Sequence, residues 1–386
     1  MTSHMRSTVL LALGLAVAPA LGAQSIFDSE LRLAPQFMQY QIKAPSNETI
    51  SEFALPVFVS IPFGSQFTFD VGTSYARARV TNGNALSEIN GLTDTQLRGN
   101  YTLGNDFVVL TAGLNLPTGR SSVTTDQQTA AGRIGSDFLA FPISNMGTGL
   151  AVTAGIAVAR PMGDWNLGFG GAVRHSASYN PFDVVAGQPV TRFTPGDEYR
   201  ARIGVDRGIF AGRMSLGLTY SAFGSDKVAQ DGVQPFPYNT GNRLIAQAIV
   251  TNSIAGSEVT VAGYNVFRNS GLYASGDPAG HENILNGYLG VGINMLGTLV
   301  EPSIELRQWL QDIPSVTVGT TTTAERSQSS YLGTIGLRTR IAGLGFTAYP
   351  SAGYTMGKLA AADAAGVPVQ ADLTGFKAQL AIRIAP

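Results

Sequence analysis

Charged residues recur in this chain at two-residue spacing: Arg200 and Arg202, Glu305 and Arg307, Arg338 and Arg340, with Arg98 and Glu301 in similar surroundings. On an extended chain, side chains two apart share a face. Such pairs build ladders of charge and do not converge on one reacting atom. Glu301 and Glu305, four apart, would lie roughly 13 Å from each other on a strand, too far for the paired carboxylates of glycoside hydrolysis. His175 and His281, the histidines beyond the N-terminal segment, lack zinc-site spacing. Ser176 points away from the face of His175, and Ala177 stands where a His–Ser dyad would need its serine. No catalytic residue, metal or cofactor is therefore expected. What ladders of this kind can do is steer a small ion.

The elements that position them are strands. From Gly91 to Gly119 the chain reads GLTDTQLRGNYTLGNDFVVLTAGLNLPTG, alternating apolar and polar residues on either side of a Gly-Asn-Asp turn. Further alternating segments fall at 31–42, 49–63, 66–80, 94–104, 106–116, 149–161, 164–176, 196–207, 211–224, 241–253, 256–269, 283–295, 298–311, 328–341, 344–357 and 373–385. The spacing predicts an all-β, up-and-down antiparallel transmembrane barrel of about sixteen strands. The first two segments are the least regular, which leaves fourteen as the alternative. Short turns, such as Gly64-Ser65 and Met162-Gly163, alternate with longer polar loops at 81–93, 117–148, 177–195, 225–240, 270–282, 312–327 and 358–372. This rhythm suits periplasmic turns and extracellular loops, with both chain ends on the turn side.

Composition agrees. Charged residues are 13%, about half the usual quarter, so the surface lacks the charge of a soluble domain. After the N-terminus no apolar run reaches the 18 residues of a helical span, and the remaining way across a bilayer is a closed barrel. There is no Cys, and a net charge of -1 gives no basic footprint for nucleic acid. Residues 1–23 read as a secretory signal peptide, with a basic start, an apolar run over 7–19 and small residues at Ala20–Ala23; cleavage is expected after Gly22 or Ala23, leaving a barrel domain over 24–386. The expected location is the bacterial outer membrane.

Parity assigns the faces. Leu216, Leu218 and Tyr220, Phe169 and Val173, Leu285 and Leu289, and Phe376 and Leu380 should meet lipid. The opposite face carries Asp70, Arg98, Arg174, Arg200, Arg202, Asp206, Glu301, Glu305, Arg307, Arg338, Arg340, Lys377 and Arg383, which should line the lumen, since charge at the lipid midplane costs about 2–4 kcal/mol. These charges either pair with one another to hold a wet wall or, with bases in excess, steer an anion. The longest loop is polar at first and then gathers Phe138, Leu139, Phe141 and Ile143. This cluster either folds inward against the barrel mouth or forms a groove for an apolar ligand.

The opening hairpin, with GSDFLAFP and GDWNLGFGG beyond it, resembles the outer-membrane channels of the meta-pathway phenol-degradation group, relatives of the FadL long-chain fatty-acid transporters. The resemblance covers about 90 residues, from Gly91 to about Pro181. It implies passive uptake of small hydrophobic or aromatic compounds. The chain departs from the fatty-acid transporters in lacking room for an N-terminal hatch, because only about seven residues separate the signal from the first strand. It also ends Ile384-Ala385-Pro386, without the terminal aromatic that the barrel-assembly machinery commonly reads. The expected partners are outer-membrane lipid, small hydrophobic solutes and that machinery. The functional expectation is a channel in which Phe138, Leu139, Phe141 and Ile143 meet the solute first and the lumenal charges meet it next. A structural or adhesive barrel with a closed lumen and a general porin are the alternatives.

Overall fold

The structure is a computed structural model that describes residues 30–384, apart from 44–46, 105–106, 186–188, 231–232, 273–277, 296, 316, 319–320, 323–325, 344 and 363–367. The expected signal peptide over 1–23 and the Ala385-Pro386 end lie outside the described residues. Sixteen antiparallel strands form the wall: β1 (Glu30–Leu33 and Gln36–Lys43), β2 (Glu48–Phe63), β3 (Phe67–Asn82), β4 (Ala85–Leu92 and Thr95–Leu103), β5 (Val108–Leu116), β6 (Ala151–Met162), β7 (Trp165–Ser176), β8 (Glu198–Ile209), β9 (Gly212–Phe223), β10 (Arg243–Ile254), β11 (Ser257–Arg268), β12 (Glu282–Met295), β13 (Thr298–Ile313), β14 (Arg326–Gly343), β15 (Phe346–Ala362) and β16 (Pro368–Ile384). Each pairs with its neighbours in sequence, and β16 closes on both pieces of β1, with Leu31 opposite Ile384 and Tyr40 opposite Gly375. Closure leaves no unpaired edge in the bilayer. The break in β1 falls at Pro35, which has no N–H to donate.

Side chains alternate as the pattern requires. Phe169, Leu218, Leu285, Ile335 and Phe376 are among the large apolar residues left exposed on the outer face, where lipid covers them. At the turn-side interface the Arg207 guanidinium lies 5.1 Å from the Trp165 ring centroid. The result is a bacterial outer-membrane β-barrel, all-β and closed. No described helix is long and apolar enough to cross a membrane.

One side of the barrel is taller and reverses its polarity. On β3, Phe67, Phe69, Val71 and Tyr75 face outward and Asp70 and Ser74 face inward; above them Arg77 and Arg79 face outward while Ala76, Ala78 and Val80 are buried inside. β16 does the same. Phe376 and Leu380 face out with Lys377 and Arg383 inside, but further up Asp372 is exposed outside and Leu373 and Ala371 are buried inside. The stretch 81–93, expected as a loop, is a continuation of the β3–β4 hairpin, turning at Gly83 with φ +58°. Two further expected loops also hold structure: Thr191–Thr194, Asp226–Gln230 and Val233–Tyr238 pair as a three-stranded sheet outside the wall. Tyr179, Phe193 and Tyr238 stack edge to face upon it, with ring centroids 5.6 and 6.2 Å apart.

Candidate functional site

The inner surface that turns apolar is covered by the β5–β6 loop. After Pro117 the loop makes a short helix, α1 (Gln128–Ile134), and descends through Phe138–Met146 into the barrel. Ala130, Ile134, Phe138, Leu139, Phe141 and Met146 form one buried cluster with Tyr40, Ile50, Ala54, Ala78, Val80, Ile89, Leu332 and Leu373 of the wall. Phe138 stacks on Trp309 with centroids 6.0 Å apart, and Phe141 meets Tyr40 edge to face at 5.5 Å. Polar anchors run alongside. Arg133 forms a fork on Glu48 at 2.6 and 2.7 Å, and the Ile143 N–H donates to Glu52 at 2.9 Å. Tyr40 donates to the Leu139 carbonyl at 3.2 Å, Arg307 to the Phe138 carbonyl at 2.8 Å, and Arg268 to Asp137 at 2.6 Å.

These contacts show how far the loop reaches. It leaves the wall between β5 and β6 and is tied to β1, β2, β4, β11 and β13; in a ring of sixteen, β13 stands opposite β5. The loop therefore crosses the lumen. Of the two dispositions open to the sequence, the structure has the inward one. Phe138, Leu139 and Phe141 are 3%, 2% and 5% exposed, and Ile143 packs at the edge of the same cluster. What these side chains meet in the structure is the wall.

Both stems of the loop are held by one residue that the pattern reading passed over. Asp94, at the break in β4, accepts from the N–H of Gly119 at 3.1 Å, Thr148 at 2.7 Å and Gly149 at 3.0 Å. Thr118 adds a bridge, accepting from the Thr95 N–H at 2.8 Å and donating to the Thr93 carbonyl at 3.2 Å. Gly119 is required there, since a Cβ would stand 2.2 Å from the Met146 carbonyl oxygen. The sequence signal was present in Thr93-Asp94-Thr95 and Pro117-Thr118-Gly119, whose short polar side chains bond local backbone.

The lumenal charges divide into two walls. On β12–β16 they pair. Glu301 accepts from Arg338 Nε at 3.1 Å and from the Tyr288 hydroxyl at 2.6 Å. Glu305 gathers Arg307 at 2.7 Å, Lys377 at 2.9 Å and Asn286 at 2.7 Å. Lower down, Glu30 sits between Arg32 and Arg383. Arg340 shares the face of Arg338 near the turn side. On β4–β10 bases outnumber acids. Arg98, Arg174, Arg200, Arg202 and Arg243 face inward there, and of the acids Glu198 binds Arg200 at 2.7 Å. A cavity of about 240 Å³ opens on this wall, lined by Gln96, Arg98, Asn115, Thr153, Arg174 and Arg200 among others. Further down, Asp206 is buried against Arg213 and Asn166. Among the described residues no cluster of three His, Cys, Asp or Glu side chains could hold a metal. His175 lies 2.7 Å from Asp197 at the outer rim, away from the lumen.

No protein-family model matches the chain, and no curated protein matches it. Solved structures with a similar fold include an anion-selective porin from Comamonas acidovorans (13% identity, TM-score 0.42, 93% of this chain and 99% of that one). They also include an outer-membrane channel from Pseudomonas putida F1 (10%, 0.38, 94% and 97%) and OmpT of Vibrio cholerae (9%, 0.43, 94% and 99%). The likeness is one of barrel architecture alone.

Proposed function

We propose that the protein is a passive outer-membrane channel whose aqueous path runs between the in-folded loop and the basic wall of β4–β10, and that it favours small organic anions. The observation that carries this reading is the asymmetry of the loop's inner part: residues 130–143 bond to β1, β2, β4, β11 and β13, while Arg98, Arg174 and Arg200 line a cavity to whose lining the loop contributes no residue, its Thr148 stem alone receiving a 3.5 Å bond from Arg174. A path with cations on one side lowers the barrier for an anion without a deep well to trap it. Aromatic or otherwise hydrophobic acids are the solute class we infer, supported by the Tyr179–Phe193–Tyr238 stack of the outer sheet and by the resemblance of the Gly91–Gly119 hairpin. In this reading Phe138, Leu139, Phe141 and Ile143 act by fixing the loop that narrows the path. Planar-bilayer recording under a salt gradient tests the proposal. A reversal potential on the anion side, with faster liposome uptake of benzoate-type acids than of neutral sugars of equal size, is the expected result.

A second reading, a barrel that its own loop closes, draws on the three stem bonds of Asp94 and the far-wall bonds of Arg268 and Arg307. Absence of conductance in the same recording, restored when residues 121–145 are deleted, would establish it instead.

A further inference from the structure

The taller side of the barrel carries a one-sided charge on its outer surface. Above the apolar belt, the lysines and arginines that the wall strands turn outward are, among the described residues, Lys43, Arg77, Arg79 and Lys358, on β1, β3 and β15. They form two similar groups. Glu88 holds Arg77 and Arg79 together at 2.7–3.0 Å, and Asp372 stands in register between Lys43 and Lys358, with Lys358 at 3.1 Å. Each group has two cations to one carboxylate. Elsewhere around the barrel the outward pairs at this level are His175 with Asp197 and His281 with Asp312, in which a histidine stands where the tall side has lysine or arginine.

We propose that this face seats a phosphorylated glycolipid of the outer leaflet, with a sugar phosphate on the Arg77–Arg79 pair. Both guanidinium groups are about half exposed. Each gives its Nε and one terminal nitrogen to Glu88, and among the described residues its other terminal nitrogen has no hydrogen-bond partner. That donor geometry suits a phosphate. The bridging carboxylate fixes two like charges side by side before the ligand arrives, so less ordering is needed on binding. Phe53 beside Arg77 (41% exposed, its register partner) and Tyr75 below it (39%) begin the apolar belt against which acyl chains would lie. Basic groups at a membrane surface select anionic headgroups in the same way. The inference rests on the barrel and its belt, and it stands whether or not the lumen conducts.

The test uses the full-length protein in detergent, incubated separately with a bis-phosphorylated glucosamine-disaccharide glycolipid, with the same glycolipid after dephosphorylation, and with inorganic phosphate; retention is read by native mass spectrometry. The phosphorylated glycolipid should be retained about tenfold better than the dephosphorylated one, and Arg77→Gln with Arg79→Gln should remove that advantage. Arg160→Gln, exposed at the turn-side rim, should leave it intact. Equal retention of the two glycolipids, parental retention by the double variant, or inorganic phosphate held as tightly as the glycolipid would each overturn the proposal. If the double variant fails to show heat-modifiable migration, Lys43→Gln with Lys358→Gln replaces it; that pair should lower retention severalfold, and an unchanged value would be equally damaging.

Discussion

The carboxylate of Asp94 accepts a hydrogen bond from the backbone N–H of Thr148 at 2.7 Å, across 54 residues of chain. Its partners Gly119 and Gly149 flank the same loop, so one side chain closes the loop at its base. Removing the carboxylate leaves buried N–H donors without an acceptor, at roughly 1–3 kcal/mol each. Asp94→Ala should therefore yield a folded barrel with a loosened loop, seen as larger and noisier single-channel currents and as faster proteolysis within 121–145. Asp94→Asn, which keeps an acceptor oxygen, should show a smaller change.

The far end of the loop is held by apolar burial. Phe138→Ala removes the stack on Trp309, a change that costs roughly 3–5 kcal/mol at a fully packed site. Combined with Arg307→Gln, which deletes the bond to the Phe138 carbonyl, it should undock the tip and raise conductance without improving selection among hydrophobic solutes. Unchanged conductance would place the narrowest point elsewhere.

The basic wall should govern ion preference. Replacing Arg98, Arg174 and Arg200 with Gln, one at a time and then together, should move the reversal potential stepwise toward the cation side. The difference from the parent should shrink as salt shortens the Debye length from about 10 Å at 0.1 M to about 3 Å at 1 M. Arg338→Gln, whose partner Glu301 already neutralises it, should release a carboxylate into the lumen and move selectivity in the same direction for a different reason.

The outer hairpin should be acid-sensitive. Arg77 foremost, and Arg79 with it, hold the Glu88 carboxyl down at about 2, well below the ordinary 4.5 of a glutamate. A depressed carboxylate stabilises the folded form above its unfolded value and loses that contribution as pH falls through the folded one. Opening of Ala85–Leu92, followed by hydrogen exchange, should accordingly increase between about pH 4.5 and pH 2. Glu88→Gln should exchange at the acid-state rate throughout.

Sequence alone determined the barrel. Period-two alternation over β5–β13, such as Leu216, Leu218 and Tyr220 against Ser215, Gly217 and Thr219, depends only on one face meeting lipid and the other water. It assigned the turn side and the inward parity of Arg98, Arg200, Arg202, Glu301, Glu305, Arg307, Arg338 and Arg340, and left sixteen or fourteen strands open until the ring closed on sixteen. The least regular segments were β1 and β2, and the structure supplies the cause: Ile50 and Ala54 are buried inside while Phe53 and Leu55 face out, so both faces are apolar and the alternation fades. The β3–β4 hairpin beyond Val80 read as a loop for a related reason: Glu88 and Asn90 face out while Ile89 is buried inside, the reverse of the lower wall. Only the tertiary structure could decide this, because the inner face of those strands takes its polarity from the β5–β6 loop, a segment distant in sequence. Whether Phe138 and Phe141 greet a solute or anchor a loop was likewise undecidable from their types, since either use calls for buried apolar area. Contacts with Trp309 and Tyr40, brought near only when sixteen strands close into a ring, settled where those rings go.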